Sequence, residues 1–323
     1  MMQRRKTDTY SCLLPAGIRN IFLQAQPDPE QLQEIRLRTG KPLMICYGGR
    51  ELGITEDGRM TANVRESYCV SEQDIRETLE TVTGYSLYAF DDEIRQGFLT
   101  VPGGHRVGVA GKAVREGESV RLIRHISCLN IRLSHQQIGC ADCILPYIMS
   151  GGELCHTLIL SPPGGGKTTL LRDVIRQVSN GTLYGEGKNV GVVDERSELA
   201  GAYRGVAQND LGIRTDVLDG CPKAEGMMML LRSMSPQIIA VDELGSGQDR
   251  YAVENVFYCG CKLLATAHGS SLEELNRNPL LGAMAEKRMF ERYVLLGGRQ
   301  EPGTVRAVLD QDGKPAEKCS RLL

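Results

Sequence analysis

The chain has 323 residues, 24% of them charged and 41% hydrophobic, with a formal net charge of −2. At roughly 150 residues per domain this length predicts two globular domains and excludes a disordered chain. The near-neutral balance and an aromatic content of 5% argue against nucleic acid as the main partner. No apolar run approaches the ~20 residues needed to cross a bilayer. The start, MMQRRKTDTYSCLLP, lacks the apolar core of a secretion signal, so a cytoplasmic protein is expected. The 11 cysteines include two close pairs, Cys140 with Cys143 and Cys259 with Cys261. The second pair falls at a predicted helix-to-strand junction, and C-x-C is a poor zinc knuckle. Reduced structural thiols are therefore expected rather than a zinc site.

In the first half, residues 11–25 predict a short helix after Pro15. Ile35 and Leu37, then Leu43 and Ile45, alternate around Gly40 and Pro42, which predicts two short strands joined by a turn. Ser71 followed by Asp74 forms a capping pair for a helix whose buried face carries Ile75, Leu79 and Val82. Residues 98–114 predict a hairpin turning at Pro102-Gly103-Gly104. Residues 120–133 alternate apolar and basic side chains, so their arginines are expected on a solvated strand face. The first domain is a small α+β unit, assigned to residues 1–145.

The second domain, residues 146–323, opens on the most informative stretch, LILSPPGGGKTTLL at 158–171. The apolar run Leu158-Ile159-Leu160 leads into Ser161, Pro162, Pro163, Gly164, Gly165, Gly166, Lys167, Thr168 and Thr169. A helical apolar period then begins at Leu170, Leu171, Val174, Ile175 and Val178. Strand, glycine-rich loop and helix are the context of a phosphate-binding loop. Glycines let backbone N–H groups approach an anion, and the helix N-terminus adds partial positive charge. Lys167 is expected to reach the β- and γ-phosphates, and Thr168 to bind Mg²⁺. One departure is Ser161, where the G-x-x-x-x-G-K-[ST] pattern has glycine.

Val190 to Val193 predicts a buried strand ending in Asp194-Glu195-Arg196, acids at the strand end where parallel sheets place ligands. They read either as capping acids or as a carboxylate shell around Mg²⁺ or the attacking water. Residues 200–222 read as a long loop. Met227, Met228, Leu230, Leu231 and Met234 form a helical stripe expected in the core. Ile238 to Val241 followed by Asp242-Glu243 has the pattern of a Walker B strand. Asp242 is expected to hold Mg²⁺ through water, and Glu243 to orient and polarise the hydrolytic water. The LGSGQ stretch at 244–248 reads as a turn. A further buried strand from Lys262 ends in Thr266 and His268, and a final hairpin is predicted around residues 300–303. No N-K-x-D tetrapeptide is present to read guanine, so ATP is the expected nucleotide.

The segments EIRLRTGKPLMI, FDDEIRQGFLTVPGGHRVGVAG, SPPGGGKTTLLRD, VGVVDERSE, LRSMSPQIIAVDELG and LLATAHG together resemble the stage III sporulation protein AA family. That family is similar to the ATPases of type II and type IV secretion systems. The resemblance implies a RecA-like core, mostly parallel sheet with helices on both faces. It places Glu195 in an acidic box and His268 in a histidine box, beside Lys167 and Glu243 as catalytic groups. It also implies a homo-oligomer, typically a hexamer, with nucleotide between subunits and arginines supplied across the interface, Arg106, Arg124, Arg132 and Arg232 being candidates. The implied function is an ATPase on the mother-cell side of a membrane channel complex serving the forespore. A nucleotide-gated scaffold with slow or dispensable hydrolysis is the alternative.

Overall fold

A computed structural model describes residues 8–319 except 87–89, 96 and 118. The basic start that bears on the secretion-signal reading lies largely outside the described residues. The chain divides into two compact units, Met1–His135 and Gln136–Leu323.

The first unit contains α1 (Asp8–Ser11), α2 (Ala16–Ala25), β1 (Leu32–Arg38), β2 (Met44–Tyr47), β3 (Arg50–Ile54), β4 (Met60–Thr61), α3 (Glu72–Val82), α4 (Asp91–Arg95), β5 (Phe98–Val101), β6 (His105–Glu116) and β7 (Ser119–Arg132). Its seven strands lie in the order β4-β3-β2-β1-β7-β6-β5. Alternation sets the buried face, because successive side chains point to opposite sides of a strand. Ile35 sits opposite Ile131 and Leu37 opposite Leu129, and all four are buried. The helix α3 starts with a reciprocal capping box, Ser71 accepting from the Asp74 N–H and Asp74 from the Ser71 N–H, which satisfies two donors left free by the first helical turn. At Gly111 the β6–β7 register shifts, with residues 125–127 of β7 facing this one residue of β6, and a Cβ on Gly111 would lie 2.7 Å from the carbonyls of Arg124 and His125.

The second unit contains α5 (Leu145–Ile148), β8 (Met149–Ser150), β9 (Glu153–Leu154), β10 (Thr157–Ser161), α6 (Lys167–Asn180), β11 (Val190–Asp194), β12 (Thr215–Asp219), α7 (Lys223–Ser233), β13 (Ile238–Val241), α8 (Asp249–Tyr258), β14 (Lys262–His268), α9 (Leu272–Arg277), α10 (Pro279–Glu286), β15 (Arg292–Leu296) and β16 (Val305–Asp310). The sheet order is β12-β11-β13-β14-β10-β15-β16. All neighbours are parallel except β15 and β16, which form the expected antiparallel hairpin. Because both faces of a parallel sheet are covered, its strands read as continuous apolar runs. Ile159 packs with Leu170, Leu171, Val174 and Val178 of α6 on one face. Leu158 and Leu160 pack with residues of α7, α8, α9 and α10 on the other. This is a RecA-like α/β core, as expected.

Three local expectations change. Residues 136–145 pack within the second unit: Ala141, Ile144 and Leu145 join its core, and the Ala141 N–H donates to Asp173 at 2.9 Å. The long loop at 200–222 contains β12, whose half-exposed residues TDVLD lack a clean alternation because the strand lies at the sheet edge. In the methionine stripe Met227 is fully buried, but Met234 is 44% exposed, since it follows the last helical turn rather than extending the buried face.

Candidate active site

In a parallel sheet all carboxyl ends emerge at one edge, and here they collect polar residues. Ser161 pairs in register with His268, and Asp194 with Asp219. Val241, just before Asp242, lies opposite Val193 on one side and Ala265 on the other.

The loop after β10 turns through Gly164 at φ +75° and Gly166 at φ +92°, a backbone region that side chains resist. It is braced from the β15–β16 turn, where the Gly303 N–H donates to the Gly165 carbonyl at 2.9 Å. A Cβ on Gly166 would lie 2.8 Å from the Gly303 nitrogen. Gly166 is also the N-cap of α6, so no capping side chain takes up the first N–H groups and no acid sits in the first turn. That leaves the positive end of the helix available to an anion.

Lys167 is 8% exposed, and its Nζ donates to Glu243 Oε1 at 2.8 Å. The Thr168 hydroxyl donates to Asp242 Oδ2 at 2.8 Å. Thr266 completes the cluster, its hydroxyl donating to Asp242 Oδ1 and accepting from the Glu243 N–H at 2.9 Å. Glu243 is held at φ +57°, a strained conformation for a non-glycine residue. Arg196 Nη1 donates to Glu243 Oε2 at 3.0 Å, and His268 Nε2 lies 3.3 Å from Glu243 Oε1. Burial pushes the Glu243 carboxyl up, but Lys167, Arg196 and His268 outweigh it and hold the group below the ordinary glutamate value.

The acidic pair after β11 splits. Asp194 turns inward, 1% exposed, and accepts the backbone N–H groups of Glu198, Leu199 and Ala200 at 2.9, 3.0 and 2.8 Å. Burial raises it to about 6 despite those three bonds. Glu195 faces Lys223, whose Nζ donates to it at 2.5 Å. Arg172 of α6 ties the helix to the same turn, its Nε donating to the Leu199 carbonyl at 2.8 Å. Asp194, Glu195, Arg196, Lys223, Asp242 and Glu243 help line a cavity of about 20 Å³, room for roughly one water.

The structure thus brings Lys167, Thr168, Asp242, Glu243 and His268 together. Glu195 lines the adjoining cavity without touching them. Of the four arginine candidates, Arg106 lies over the Phe98 ring at 3.4 Å and Arg132 is 62% exposed near Glu34. Arg124 is exposed in β7 and Arg232 exposed on α7. Arg196 had no predicted role, because sequence order alone does not reveal which strand end faces β13.

Thr168 and Asp242 offer hard oxygen donors of the kind Mg²⁺ takes, and Mg²⁺ commonly completes its shell from polyphosphate and water. Among the described residues no cluster of three or more His, Cys, Asp or Glu side chains is placed to hold a metal by itself. The donor set therefore fits a magnesium ion delivered with a nucleotide.

Residues 3–316 match the family described as "Sporulation stage III, protein AA". The chain is 38% identical over 305 residues to "Stage III sporulation protein AA" of Bacillus subtilis (strain 168), covering 93% of this chain and 94% of that one. Among solved structures it is similar to the Legionella pneumophila ATPase DotB, with a TM-score of 0.59 and 18% identity over 93% of this chain and 82% of that one. It is also similar to the pilus retraction motor PilT with bound ADP, with a TM-score of 0.52 and 12% identity over 85% of this chain and 76% of that one. At these identities the structural likeness speaks for the RecA-like fold. The chain belongs to the sporulation stage III protein AA family.

Proposed function

We propose that the chain is a Mg²⁺-dependent ATP-binding and hydrolysing motor of a secretion-like channel complex in sporulation. The supporting observation is the joining of two sequence-distant pairs, Lys167 with Glu243 and Thr168 with Asp242, each at 2.8 Å. Residues 161–169 would cradle the phosphates with backbone N–H groups, and Lys167 would contact the β- and γ-phosphates. Thr168 and Asp242 would hold Mg²⁺, which when bound neutralises charge on the phosphates. Glu243 would accept a proton from the attacking water. His268 would sense the γ-phosphate through its position beside Glu243. Glu195, already paired with Lys223, would order the outer side of the water cavity.

The two units, residues 1–135 and 136–323, would be the domains of this motor, assembled as a homo-hexamer with nucleotide between subunits. Arg106, Arg124, Arg132 and Arg232 are the candidates to act across that interface. The motor would dock, on the mother-cell side, against a membrane channel complex serving the forespore. Among the described residues no helix is long and apolar enough to cross a membrane. Mass measurement with and without ATP and Mg²⁺ tests assembly, and a monomer in both conditions counts against a motor. Phosphate release by wild type and Glu243→Gln tests the chemistry, and equal rates would remove Glu243 from it.

A second reading rests on the Lys167–Glu243 pair itself. The carboxylate that would activate water occupies the lysine that phosphate needs, so binding must first separate the two. In this reading ATP binding fixes a scaffold and hydrolysis is slow or dispensable. Sporulation lost in Lys167→Ala but retained in Glu243→Gln would favour the scaffold.

A further inference from the structure

Three cationic or donor groups converge on one carboxylate. Lys167 Nζ lies 2.8 Å from Glu243 Oε1, His268 Nε2 lies 3.3 Å from the same oxygen, and Arg196 Nη1 lies 3.0 Å from Oε2. A lysine after a glycine-rich loop serves the β- and γ-phosphates, so the carboxylate it holds marks a position where a phosphate oxygen can sit. Whatever else reaches that carboxylate is within reach of the terminal phosphate that displaces it.

Resting on the nucleotide reading above, we infer that Arg196 is a γ-phosphate ligand supplied by the same chain as the phosphate loop. The turn that carries it is built to hold it. Asp194 anchors that turn through the three N–H groups of residues 198–200. Ser197, at φ +53°, donates its hydroxyl to Asp219 at 2.7 Å. Arg172 clamps the far side through the carbonyls of Leu199 and Glu198 at 2.8 and 2.6 Å. The guanidinium itself is not locked, since the Arg196 side chain is 65% exposed. It can therefore follow the anion when Glu243 gives way to phosphate.

Guanidinium geometry suits this role, because its planar fork matches phosphate oxygens and it stays charged at every working pH. During hydrolysis a water O–H bond breaks, its proton passes to Glu243, and the oxygen forms a bond to the γ-phosphorus. The bond from that phosphorus to the β–γ bridging oxygen breaks, leaving its electron pair on ADP. Arg196 exchanges no atom; it offsets negative charge on the γ-phosphoryl oxygens as this proceeds. Arginines acting across an interface would add to it from the opposite side.

The test is calorimetric binding of ATP and of ADP, each with Mg²⁺, to full-length wild type, Arg196→Ala and Arg196→Lys. Each comparison is repeated in a Glu243→Gln background. The expected result is ATP affinity about tenfold or more weaker in Arg196→Ala, since a hydrogen bond to a charged group is being removed. ADP affinity stays within about twofold, because ADP lacks the γ-phosphate, and Arg196→Lys falls between. The loss persists when Glu243 is Gln, as a direct contact requires. Equal weakening of ATP and ADP, no weakening, or an effect that vanishes in the Glu243→Gln background overturns the inference; the last would mean Arg196 acts only through Glu243. Failure of wild type to bind either nucleotide overturns the nucleotide reading itself, and the inference with it.

Discussion

Each unit is built on a seven-stranded sheet, and the two sheets use their strand ends differently. In the first, every neighbouring pair is antiparallel. Adjacent strands therefore finish at opposite edges, and the polar residues that follow them are divided between the two. Its charges lie along strand faces: Arg36 pairs with Glu34 and Glu51, and Arg121 with Glu116. In the second sheet β10, β14, β13 and β11 run parallel and finish together. Four separate stretches of chain thereby place Lys167, His268, Glu243 and Arg196 around one point. Strand direction, more than residue composition, separates a sheet that gathers polar side chains at one edge from one that does not.

That contrast can be attacked at the site first. Glu243→Gln should lower turnover about 10³-fold in a phosphate-release assay, about 4 kcal/mol of barrier. The thermal midpoint should fall as well, because Gln leaves the buried Lys167 ammonium without its carboxylate partner, so turnover is read per folded molecule. A variant that turns over normally would mean the converging strand ends serve binding alone.

A smaller effect concerns Asp194. Folded, it keeps its proton up to about pH 6, whereas an unfolded aspartate releases it near 3.9. Between those values the folded state binds more protons, so stability falls as pH rises. Its contribution is fully present below the unfolded value and lost above about 6, a change of about 3 kcal/mol. Urea unfolding from pH 4 to pH 7 should show wild type losing about 2 kcal/mol more than Asp194→Asn, since an unfolded aspartate is already half ionised at pH 4. Parallel curves for the two proteins would refute an inward, proton-holding Asp194.

Next comes the loop. Gly166→Ala combines φ +92° with a backbone nitrogen 2.8 Å from the new methyl. A cost of about 1–3 kcal/mol, with loss of nucleotide binding, should appear in unfolding and calorimetry. Gly97→Ala in the first unit also has positive φ but meets nothing within 4 Å. It should cost about 1 kcal/mol or less and leave binding intact; equal costs would undo the close-approach argument.

The smallest change is Ser71→Ala, which removes the α3 cap. About 1 kcal/mol should be lost from the first unit, read by thermal unfolding. Turnover per folded molecule should hold. A turnover loss beyond the unfolded fraction would show that the α3 cap matters to the chemistry and not only to the stability of the first unit.

Much of this architecture is legible locally. The capping box at Ser71 and Asp74 depends on residues three apart, and the apolar run before Ser161 needs only its own composition. The glycine loop can be read because few side chains tolerate its backbone. The edge strand β12 is harder, since a half-exposed strand need not alternate. Adjacency groups Glu195 with Asp194, but successive residues at the end of a strand point opposite ways. One therefore goes inward to backbone N–H groups, and the other outward to Lys223.

The amino-acid order by itself determined the glycine-rich loop between strand and helix, the Asp242-Glu243 strand end, and most of the apolar segments that are buried. Those features follow from residue size, backbone freedom and hydrophobic spacing within short windows. Only the tertiary structure decided that Arg196 reaches Glu243, that Thr266 joins Asp242 to the Glu243 backbone, and that Asp194 is structural. These contacts depend on strand order and register, set by packing between residues tens of positions apart, which no short window of sequence contains.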